Sequence, residues 1–295
     1  MAEPGGSVVV LGGTGFLGRR VVGALLARGR PVAVGTRDPA GAAAQGLPNP
    51  VRVDLRDPAS LGRAFAGAAA VVNCVGLYVE RGAETFRAVH VEGAGAAAGA
   101  AAAAGVRRFV HVSGIGADRA SGSAYIRARA EGEAAVRAAF PAATILRPGA
   151  LFAEDGGLFA ALAPIVARLP VLPLFGDGST RLQPVHAGDV AEAAARALEA
   201  DAAPGTTYEL GGPEDFSYRE ILVRLAARAG RRRLYLPVPF ALWHGLAAAA
   251  CVLPSPPITP AQVALMRRDN VAGADMPGLA ELGIAPRAAS ALGLV

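Results

Sequence analysis

The stretch VVVLGGTGFLG, residues 8–18, joins a short apolar run to a glycine-rich turn. The run VVVL is typical of a buried strand, and the segment that starts at Phe16 has the apolar spacing of a helix. Gly12, Gly15 and Gly18 lie three residues apart between the two. A G-x-x-G-x-x-G spacing between a strand and a helix is the pattern of a dinucleotide-binding turn. The stretch therefore predicts a nucleotide site near the N-terminus, with an ordinary glycine-rich turn as the alternative.

Each glycine has a physical role in such a turn. Gly12 permits the tight turn, Gly15 lets the backbone approach a pyrophosphate, and Gly18 allows the helix to pack closely on the strand. The N-terminus of the helix presents free N–H groups and a favourable dipole to the anion. Arg19 follows the turn, and its guanidinium is a further candidate ligand for phosphate. The predicted cofactor contacts of this turn are Gly12, Thr14, Gly15, Phe16, Leu17, Gly18 and Arg19.

Beyond the turn, short apolar runs alternate with helical stretches. After a first strand at 7–11 and a helix at 16–29, strands are predicted at 31–36, 51–55, 69–76, 107–113 and 143–149, and helices at 58–67, 84–104 and 123–140. Continuous apolar strands separated by helices indicate a parallel sheet that is covered on both faces. The predicted fold class is α/β, a Rossmann-type doubly wound parallel sheet, in a dinucleotide-binding domain over residues 1–150.

After Gly149 the pattern loosens into helices near 157–169, 188–200 and 217–229 and one strand at 206–210. We expect a smaller C-terminal lobe over 151–295, with some elements that return to the first domain. The apolar segment 240–253 is too short to span a bilayer, which needs about 20 residues. It is predicted to be a buried helix, with a helix that docks on a membrane or a partner as the alternative.

The composition and charge of the chain bear on its partners and its location. The chain has 295 residues and a net charge of +5, and all 29 basic residues are arginine. The one dense run, Arg231 to Arg233, is interpreted as a solvated loop, with contact to acidic lipid or a partner as the alternative. No spacing indicates a metal site or nucleic-acid binding. Two cysteines, Cys74 and Cys251, and an N-terminus without a signal-peptide pattern favour a cytoplasmic location.

The end of the second predicted strand, VGTRD, bears on the choice of dinucleotide. NAD sites place a carboxylate at this point, whereas an arginine can bind a 2′-phosphate through charge-assisted hydrogen bonds. Because Arg37 comes before Asp38, we expect NADP(H) rather than NAD(H). A solvated turn residue is the alternative for Arg37.

Two further strand ends contribute candidate cofactor contacts. Asp54 ends the third strand, where its carboxylate is expected to accept from an adenine amino group while Leu55 packs on the ring. The fourth strand ends in NCVG, which we expect beside the adenine ribose and pyrophosphate. The candidates there are Cys74, Val75 and Gly76. Strand ends that merely turn into loops are the alternative.

These motifs, together with HVSG (111–114), EGE (131–133), LRPG (146–149) and QPVHAGDVAEA (183–193), resemble the short-chain dehydrogenase/reductase superfamily in its extended and atypical branches. The tail segments LPSPPITPAQVALMRRDNV (253–271) and LGIAP (282–286) are similar to the family of the NADPH-binding accessory subunit of respiratory complex I and its bacterial relatives. This resemblance implies complex I or quinone-biosynthesis proteins as partners, and a peripheral position on the cytoplasmic face of the inner membrane.

The resemblance also implies a catalytic pair that is altered in this chain. In active members a tyrosine transfers the substrate proton, and a lysine four residues later supports it and binds the nicotinamide ribose. Tyr125 matches the tyrosine, but Arg129 stands in the place of the lysine. Arginine keeps the charge, but its planar guanidinium does not reproduce the compact hydrogen bonds of an ammonium. Both residues remain candidate catalytic and cofactor-contacting groups.

The serine that orients the substrate in such enzymes has three candidates in this chain. Ser113 ends the fifth strand, whereas the active serine of the family lies slightly further on; Ser121 and Ser123 are the alternatives. By the same resemblance, Pro148 belongs to the loop that covers the nicotinamide. His186 and Asp189 would link helix to sheet, with Asp189 as a helix N-cap.

The sequence thus favours an NADP(H)-binding accessory protein with a degenerate catalytic pair. An active NADP-dependent oxidoreductase, epimerase or dehydratase that uses Tyr125 and Arg129 is the first alternative. A regulator that senses the redox state of NADP(H) without chemistry is the second.

Overall fold

The computed structural model describes residues 6–199, 203–250 and 258–295. The described strands are β1 Val8–Leu11, β2 Val32–Thr36, β3 Pro50–Arg52, β4 Ala70–Asn73, β5 Arg108–Val112, β6 Thr144–Pro148, β7 Leu151–Ala153, β8 Gly156–Gly157, β9 Val171–Phe175, β10 Arg181–Leu182, β11 Val185–His186, β12 Thr207–Leu210, β13 Phe216–Ser217 and β14 Leu234–Val238.

The described helices are α1 Gly18–Leu26, α2 Pro39–Ala44, α3 Pro58–Phe65, α4 Ala94–Ala103, α5 Ala124–Ala139, α6 Leu158–Arg168, α7 Ala187–Arg196, α8 Tyr218–Arg228, α9 Phe240–Ala250 and α10 Pro260–Leu265. A π-helix, Arg87–Gly93, leads directly into α4. The helix predicted at 84–104 therefore begins with a wider turn. Among the described helices, none combines the length and apolarity that crossing a bilayer requires.

Seven strands form the central parallel sheet, in the order β12-β6-β5-β4-β1-β2-β3. Val9 of β1 lies opposite Ala33 of β2 on one side and Val71 of β4 on the other. The strand order thus reverses at β1, and a crevice opens at the carboxyl ends of the strands where such a reversal occurs. The prediction of a Rossmann-type doubly wound α/β fold is confirmed.

The sheet has an apolar layer on each face because β1 alternates its side chains between them. Val8 and Val10 pack with Leu25 of α1 and Val190 of α7. Their neighbours Val9 and Leu11 pack on the opposite face, in a cluster that includes residues of α3, α4 and β5. A strand buried on both faces reads as a continuous apolar run, which is why VVVL was readable as sheet.

Elements beyond residue 150 complete this domain. β12 pairs in parallel with β6, so that Leu210 lies opposite Pro148 at the edge of the sheet. From the C-terminal tail, Leu282 and Ile284 join the same apolar cluster as Val8. The sheet and its core therefore contain residues from before and after residue 150. The domain boundary predicted at residue 150 stays a prediction.

Two expectations about the C-terminal half are wrong. The segment 240–253 was expected to be buried, yet Leu242 and Leu246 of α9 are 54% and 50% exposed; residues 251–253 lie outside the described residues, as does Cys251. Because α9 is apolar around its circumference, its sequence does not show which face is covered. The second correction concerns α7. Its N-cap is His186, whose Nδ1 accepts from the Gly188 N–H at 3.1 Å.

Asp189, expected as that N-cap, instead lies within the first turn of α7. Its carboxylate accepts from the backbone N–H of Arg287 at 2.8 Å and from the Arg287 Nε at 2.7 Å. The carboxylate is buried, so this pair fixes the C-terminal tail to the sheet domain. A contact across 98 residues has no local sequence signal.

Candidate functional site

The glycine turn folds as a close-packed connection between β1 and α1. Gly12 has φ +70°, a conformation that favours glycine, and its carbonyl accepts from the Gly15 N–H at 3.0 Å. A Cβ at Gly18 would overlap the Gly12 carbonyl oxygen, so a side chain there would push α1 away from the strand. The amides of Thr14 and Phe16 make no backbone hydrogen bond within the described part of the chain. The turn therefore offers N–H donors to an anion.

A cleft of about 510 Å³ opens beside this turn, and we call it the glycine cleft. Nine of the predicted cofactor residues line it: Gly12, Thr14, Gly15, Arg37, Asp54, Leu55, Cys74, Val75 and Gly76. They are brought together because the ends of β1, β2 and β4 and the segment after β3 meet at one edge of the parallel sheet.

Four other residues predicted from the turn do not line the glycine cleft. Leu17 is buried in the core beneath α1, and Gly18 is the packing contact already described. Phe16 lies under the guanidinium of Arg20, whose Cζ is 4.2 Å from the ring centroid. Arg19 lies 3.6 Å from the Asp155 carboxylate. The structure therefore places these four residues outside the cleft lining.

Two ion pairs at the rim of the glycine cleft were not found from the sequence. Arg37 pairs with Glu84, which precedes the π-helix. Asp54 accepts from the Nε and Nη2 of Arg56 at 3.0 and 2.8 Å. These hydrogen bonds lower the pKa of Asp54 to about 2. The pairing of Asp54 with Arg56 could have been predicted, because Arg56 follows two residues later in VDLRD. The pairing of Arg37 with Glu84 could not, because the two residues are distant in sequence.

Asp38 also lines the glycine cleft, but its carboxylate has a structural role. Its Oδ1 accepts from the Gly41 N–H at 3.0 Å and caps the N-terminus of α2. Such a cap satisfies one of the free amides of the first helical turn. One oxygen of the carboxylate nearest the end of β2 thus binds the helix.

The candidate catalytic pair lies on the first turns of α5 and is buried. Arg129 is 6% exposed, and its Nε and Nη2 donate to the Tyr125 hydroxyl oxygen at 3.1 and 2.9 Å. Its Nη1 donates to the carbonyl of Val112, the last residue of β5, at 3.0 Å. No carboxylate of the described residues forms a salt bridge with this guanidinium. Each of its three nitrogens is therefore bound to a protein oxygen.

Aromatic rings hold Tyr125 on three sides. The Tyr78 ring stacks on it at 5.5 Å, and the rings of Phe86 and His90 meet it edge-on at 5.4 and 5.6 Å. Edge-on and stacked arrangements are the preferred geometries of aromatic pairs. The orientation of the phenol is thus fixed by packing as well as by Arg129.

Two buried histidines flank the pair and are neutral at pH 7. Burial, followed by the charge of Arg129, lowers the pKa of His90 and of His111 to about 3. The His90 Nε2–H donates to the Leu77 carbonyl at 2.9 Å, and its Nδ1 has no hydrogen-bond partner among the described residues. Arg129 is therefore the cation of this region, and the histidines do not share its charge.

A second cavity, of about 260 Å³, is lined by Ser113, Tyr125, Arg129 and Pro148, and we call it the tyrosine cavity. The hydroxyls of Ser113 and Ser123 are buried without a hydrogen-bond partner in the described part of the chain. Ser123 lines a neighbouring pocket with Tyr78 instead. Of the serine candidates, Ser113 therefore shares a cavity with the pair.

The glycine cleft approaches the tyrosine cavity just beyond the end of β4. Gly76 lines the cleft, and a Cβ at this position would lie 3.3 Å from the Nη2 of Arg129. An elongated molecule in the cleft thus has its far end beside the buried guanidinium. Amide donors at the turn and an apolar slot at Leu55 are groups that suit a dinucleotide.

The EGE and LRPG motifs turn out to be one packing unit. Arg147 donates from Nε and Nη2 to the two oxygens of Glu133 at 2.9 and 2.7 Å, and from Nη1 to Glu209 at 3.1 Å. Both glutamates are buried. A Cβ at Gly132 would overlap the carbonyl oxygen of His90, so this glycine lets α5 lie against the π-helix. The motifs therefore position α5 and its Tyr125.

Comparison with known proteins agrees with this geometry. The chain is 34% identical over 248 residues to the mitochondrial NADH dehydrogenase (ubiquinone) 1 alpha subcomplex subunit 9 of Arabidopsis thaliana, an alignment that covers 81% of this chain and 62% of that protein. It is 40% identical over 188 residues to the ceramide reductase of Caulobacter vibrioides, covering 63% and 59%. The chain thus spans about three fifths of the length of these curated relatives.

Among solved structures, an NADPH-dependent quinone oxidoreductase from Escherichia coli with bound NADPH superposes with a TM-score of 0.76. The match covers 97% of this chain and 98% of that one at 23% identity, and it shows a shared pyridine nucleotide-binding fold. The family model for the NAD dependent epimerase/dehydratase family matches residues 8–211, more than half of the chain. The resemblance to short-chain dehydrogenases/reductases is confirmed, and the chain belongs to the NAD dependent epimerase/dehydratase family.

Proposed function

We propose that this protein holds NADP(H) as an accessory subunit of a complex I-type or quinone-linked assembly, with little or no turnover. The observation that carries the proposal is the state of Arg129: all three of its nitrogens are bound to Tyr125 and Val112, beside a complete glycine cleft. The curated relative named as a subunit of NADH dehydrogenase supports the kind of assembly. A peripheral position on the cytoplasmic face of the inner membrane accords with it.

The preference for NADP(H) rests on the charges at the end of β2. Arg37 is a cation at the cleft rim, and Arg52 lies beside it, with its Nη1 donating to the Arg37 carbonyl at 3.4 Å. One oxygen of the Asp38 carboxylate caps α2, which leaves less of this carboxylate for ribose hydroxyls. A 2′-phosphate would exchange with Glu84 as the partner of Arg37. Arginine is well suited to that exchange because it binds phosphate in a bidentate manner.

The proposal of weak turnover rests on how the hydrogen bonds of this pair differ from those of a tyrosine–lysine pair. The Tyr125 oxygen accepts from two nitrogens of Arg129, so both of its acceptor positions are filled. The phenol keeps its own hydrogen to donate, but its oxygen has no free position at which to take a proton from a substrate. The guanidinium is bound to β5 as well, so three of its five N–H donors are already used within the protein. A lysine at the same position would carry a smaller, rotatable group of donors.

Native purification followed by mass identification of the bound nucleotide tests this proposal, together with calorimetric titration of NADPH and NADH. We expect NADPH to be found and to bind at least about tenfold more tightly, because a charge-assisted hydrogen bond contributes about 1.5–3 kcal/mol. Rapid oxidation of the bound NADPH by simple ketones or quinones would contradict the accessory role.

The alternative is an active NADP-dependent oxidoreductase, epimerase or dehydratase. It is favoured by the Ser113 hydroxyl, which is free to bond a substrate oxygen and shares the tyrosine cavity with Tyr125. The Caulobacter relative is named as a reductase. If this alternative holds, Tyr125→Phe lowers turnover by about two orders of magnitude or more and leaves NADPH affinity unchanged. Under the accessory proposal the same change has little effect.

A further inference from the structure

One side of the C-terminal lobe exposes large apolar side chains that belong to neither cavity. Leu234 of β14 is 70% exposed and Leu236 is 54% exposed. We define the lobe surface by these two residues together with Leu169, Val171, Leu242 and Leu246. Single exposed leucines are ordinary on a protein surface, but a cluster of this size usually marks a contact with a partner or a membrane.

The residues of the lobe surface come from adjoining elements. β14 pairs in parallel with β9 so that Leu234 lies opposite Val171, and Leu236 follows on the same face of the strand. Leu169 precedes Val171 by two residues, at the end of α6. These side chains therefore form one exposed face of a two-stranded sheet.

α9 extends this face from the other end of β14. It begins at Phe240, two residues after the strand, and the Trp243 Nε1–H donates to the Leu174 carbonyl of β9 at 2.9 Å. That bond turns the Trp243 side of α9 toward the lobe. Leu242 and Leu246 are four residues apart, so they project together, and both are half exposed.

Arginines border the lobe surface. Arg231 and Arg232 are exposed and lead directly into β14, and Arg168 is exposed beside Leu169. Arg233 donates from its Nε and Nη2 to the Val166 and Ala167 carbonyls at 2.8 Å each, which holds the run against the end of α6. Arg168 is thereby brought close to the run.

The charge of this region is of one sign. Within the described part of the chain, neither Arg168 nor Arg231 nor Arg232 forms an ion pair or a side-chain hydrogen bond. The stretches 165–175 and 231–250 contain no aspartate or glutamate. Apolar side chains bordered by unpaired cations complement an anionic lipid surface, whose headgroups attract arginine while leucines enter the interfacial layer.

We propose that the lobe surface docks this protein on an anionic bilayer. The inference extends the proposed peripheral location and does not depend on nucleotide binding. Within the described residues α9 spans eleven residues, fewer than the about 20 that cross a bilayer, so docking would place this part of the helix in the interfacial plane. His244 of α9 also lines the pocket that contains Tyr78 and Ser123. Docking therefore brings that pocket close to the lipid.

Flotation of the full-length protein with vesicles tests the proposal. We expect binding to phosphatidylcholine vesicles that contain about one third phosphatidylglycerol, weaker binding to pure phosphatidylcholine, and release by salt. Arg231→Glu with Arg232→Glu is expected to lower the partition coefficient more than about tenfold, since each arginine contributes about fivefold. Leu234→Ser with Leu236→Ser is expected to abolish binding even at low salt.

Matched controls separate docking from general charge and from misfolding. Leu26→Ser, on α1, and Arg63→Glu, on α3, remove an exposed leucine and an exposed arginine elsewhere and are expected to leave flotation unchanged. NADPH titration and the thermal melting temperature of every variant report on the fold and on the proposed nucleotide binding separately. A variant that binds NADPH normally and fails to float supports docking whether or not the protein is an accessory subunit.

Three outcomes would overturn the proposal. The first is no flotation of the wild-type protein with anionic vesicles. The second is equal loss of flotation in the control variants. The third is a stable dimer in solution that dissociates with Leu234→Ser and Leu236→Ser, because the lobe surface would then be covered by a second copy of the chain.

Discussion

Arg129 binds the phenol oxygen of Tyr125 with two guanidinium nitrogens, at 3.1 and 2.9 Å, from one turn further along α5. The third nitrogen is bound to the Val112 carbonyl, so the pair is fixed to the sheet as well as to the helix. Two neutral histidines beside it leave the positive charge on Arg129 alone. Because the pair is bound within the protein while the glycine cleft is open, we expect nucleotide binding to be separate from turnover: binding is retained and turnover is slow.

Arg129→Lys tests that separation. A lysine keeps the charge, carries its donors on a compact ammonium and leaves one acceptor position of the Tyr125 oxygen free. We expect quinone or ketone reduction to rise about tenfold or more, with NADPH affinity within a factor of about three of the wild type. The double variant Arg129→Lys, Tyr125→Phe is the control and is expected to lose the gain. No gain in the single variant would mean that Arg129 does not limit turnover.

Arg37→Ala tests the choice of nucleotide. Loss of a charge-assisted contact to a 2′-phosphate is expected to weaken NADPH binding by about ten- to a hundredfold, while NADH binding is nearly unchanged. Glu84→Gln removes the carboxylate that pairs with Arg37 and is expected to tighten NADPH binding. Calorimetric titration of both nucleotides checks this, with Arg63→Ala as a distant control. Equal losses for NADPH and NADH would refute the role of Arg37.

Arg147→Met is expected to destabilise the fold by about 3–5 kcal/mol, because it leaves two buried carboxylates without their cation. Glu133 and Glu209 lie on α5 and β12, on either side of Arg147 in β6. Urea denaturation measures the effect. Combining Arg147→Met with Glu133→Gln and Glu209→Gln should recover most of the loss, and failure to do so would place the effect in packing instead of charge.

Gly132→Ala is expected to destabilise the protein by more than about 2 kcal/mol, since its methyl group would overlap the His90 carbonyl oxygen. Gly62 on α3 is the matched control, because a Cβ there has nothing within 4 Å. Gly62→Ala is expected to stabilise the protein by about 0.5–1 kcal/mol through the helix propensity of alanine. Similar melting temperatures for the two variants would contradict the close approach of α5 and the π-helix.

The buried histidines predict how stability depends on pH. The folded pKa of His90 and of His111 is about 3, below the unfolded value of about 6.5. Below about pH 6.5 the unfolded chain therefore binds protons that the folded chain does not. The free energy of unfolding consequently decreases as the pH is lowered. We expect a loss of about 2 kcal/mol in urea denaturation between about pH 7 and 5.5. His111→Asn should reduce this pH dependence of stability by roughly half. An unchanged dependence would mean that groups other than His111 cause it.

The sheet and the glycine turn were predictable because their signals are local. VVVL alternates between two apolar layers, and the spacing of Gly12, Gly15 and Gly18 reflects a close approach of α1 to β1 that only glycine allows. For the same reason nine of the residues that line the glycine cleft could be named in advance, since each lies in the glycine turn or at or just beyond the end of a strand that reads as apolar.

Other features depend on contacts between distant parts of the chain. Glu84 meets Arg37, and Asp189 meets Arg287, across segments that carry no pairing signal. The exposure of Leu242 was missed because α9 is apolar on every side, which is equally typical of a buried helix. The hydrogen bonds of Arg129 could not be predicted from the sequence either, because only the fold shows which oxygens its nitrogens reach.

The central claim is that the chain holds NADP(H) beside a tyrosine that Arg129 keeps from working in turnover. Single-turnover mixing of the NADPH-loaded protein with a soluble quinone or ketone, followed by the absorbance of the reduced nicotinamide, tests it most directly. The account predicts oxidation far slower than about 1 s⁻¹, the low end for enzymes, and no change with Tyr125→Phe. Oxidation at or above that rate, abolished by Tyr125→Phe, would contradict it.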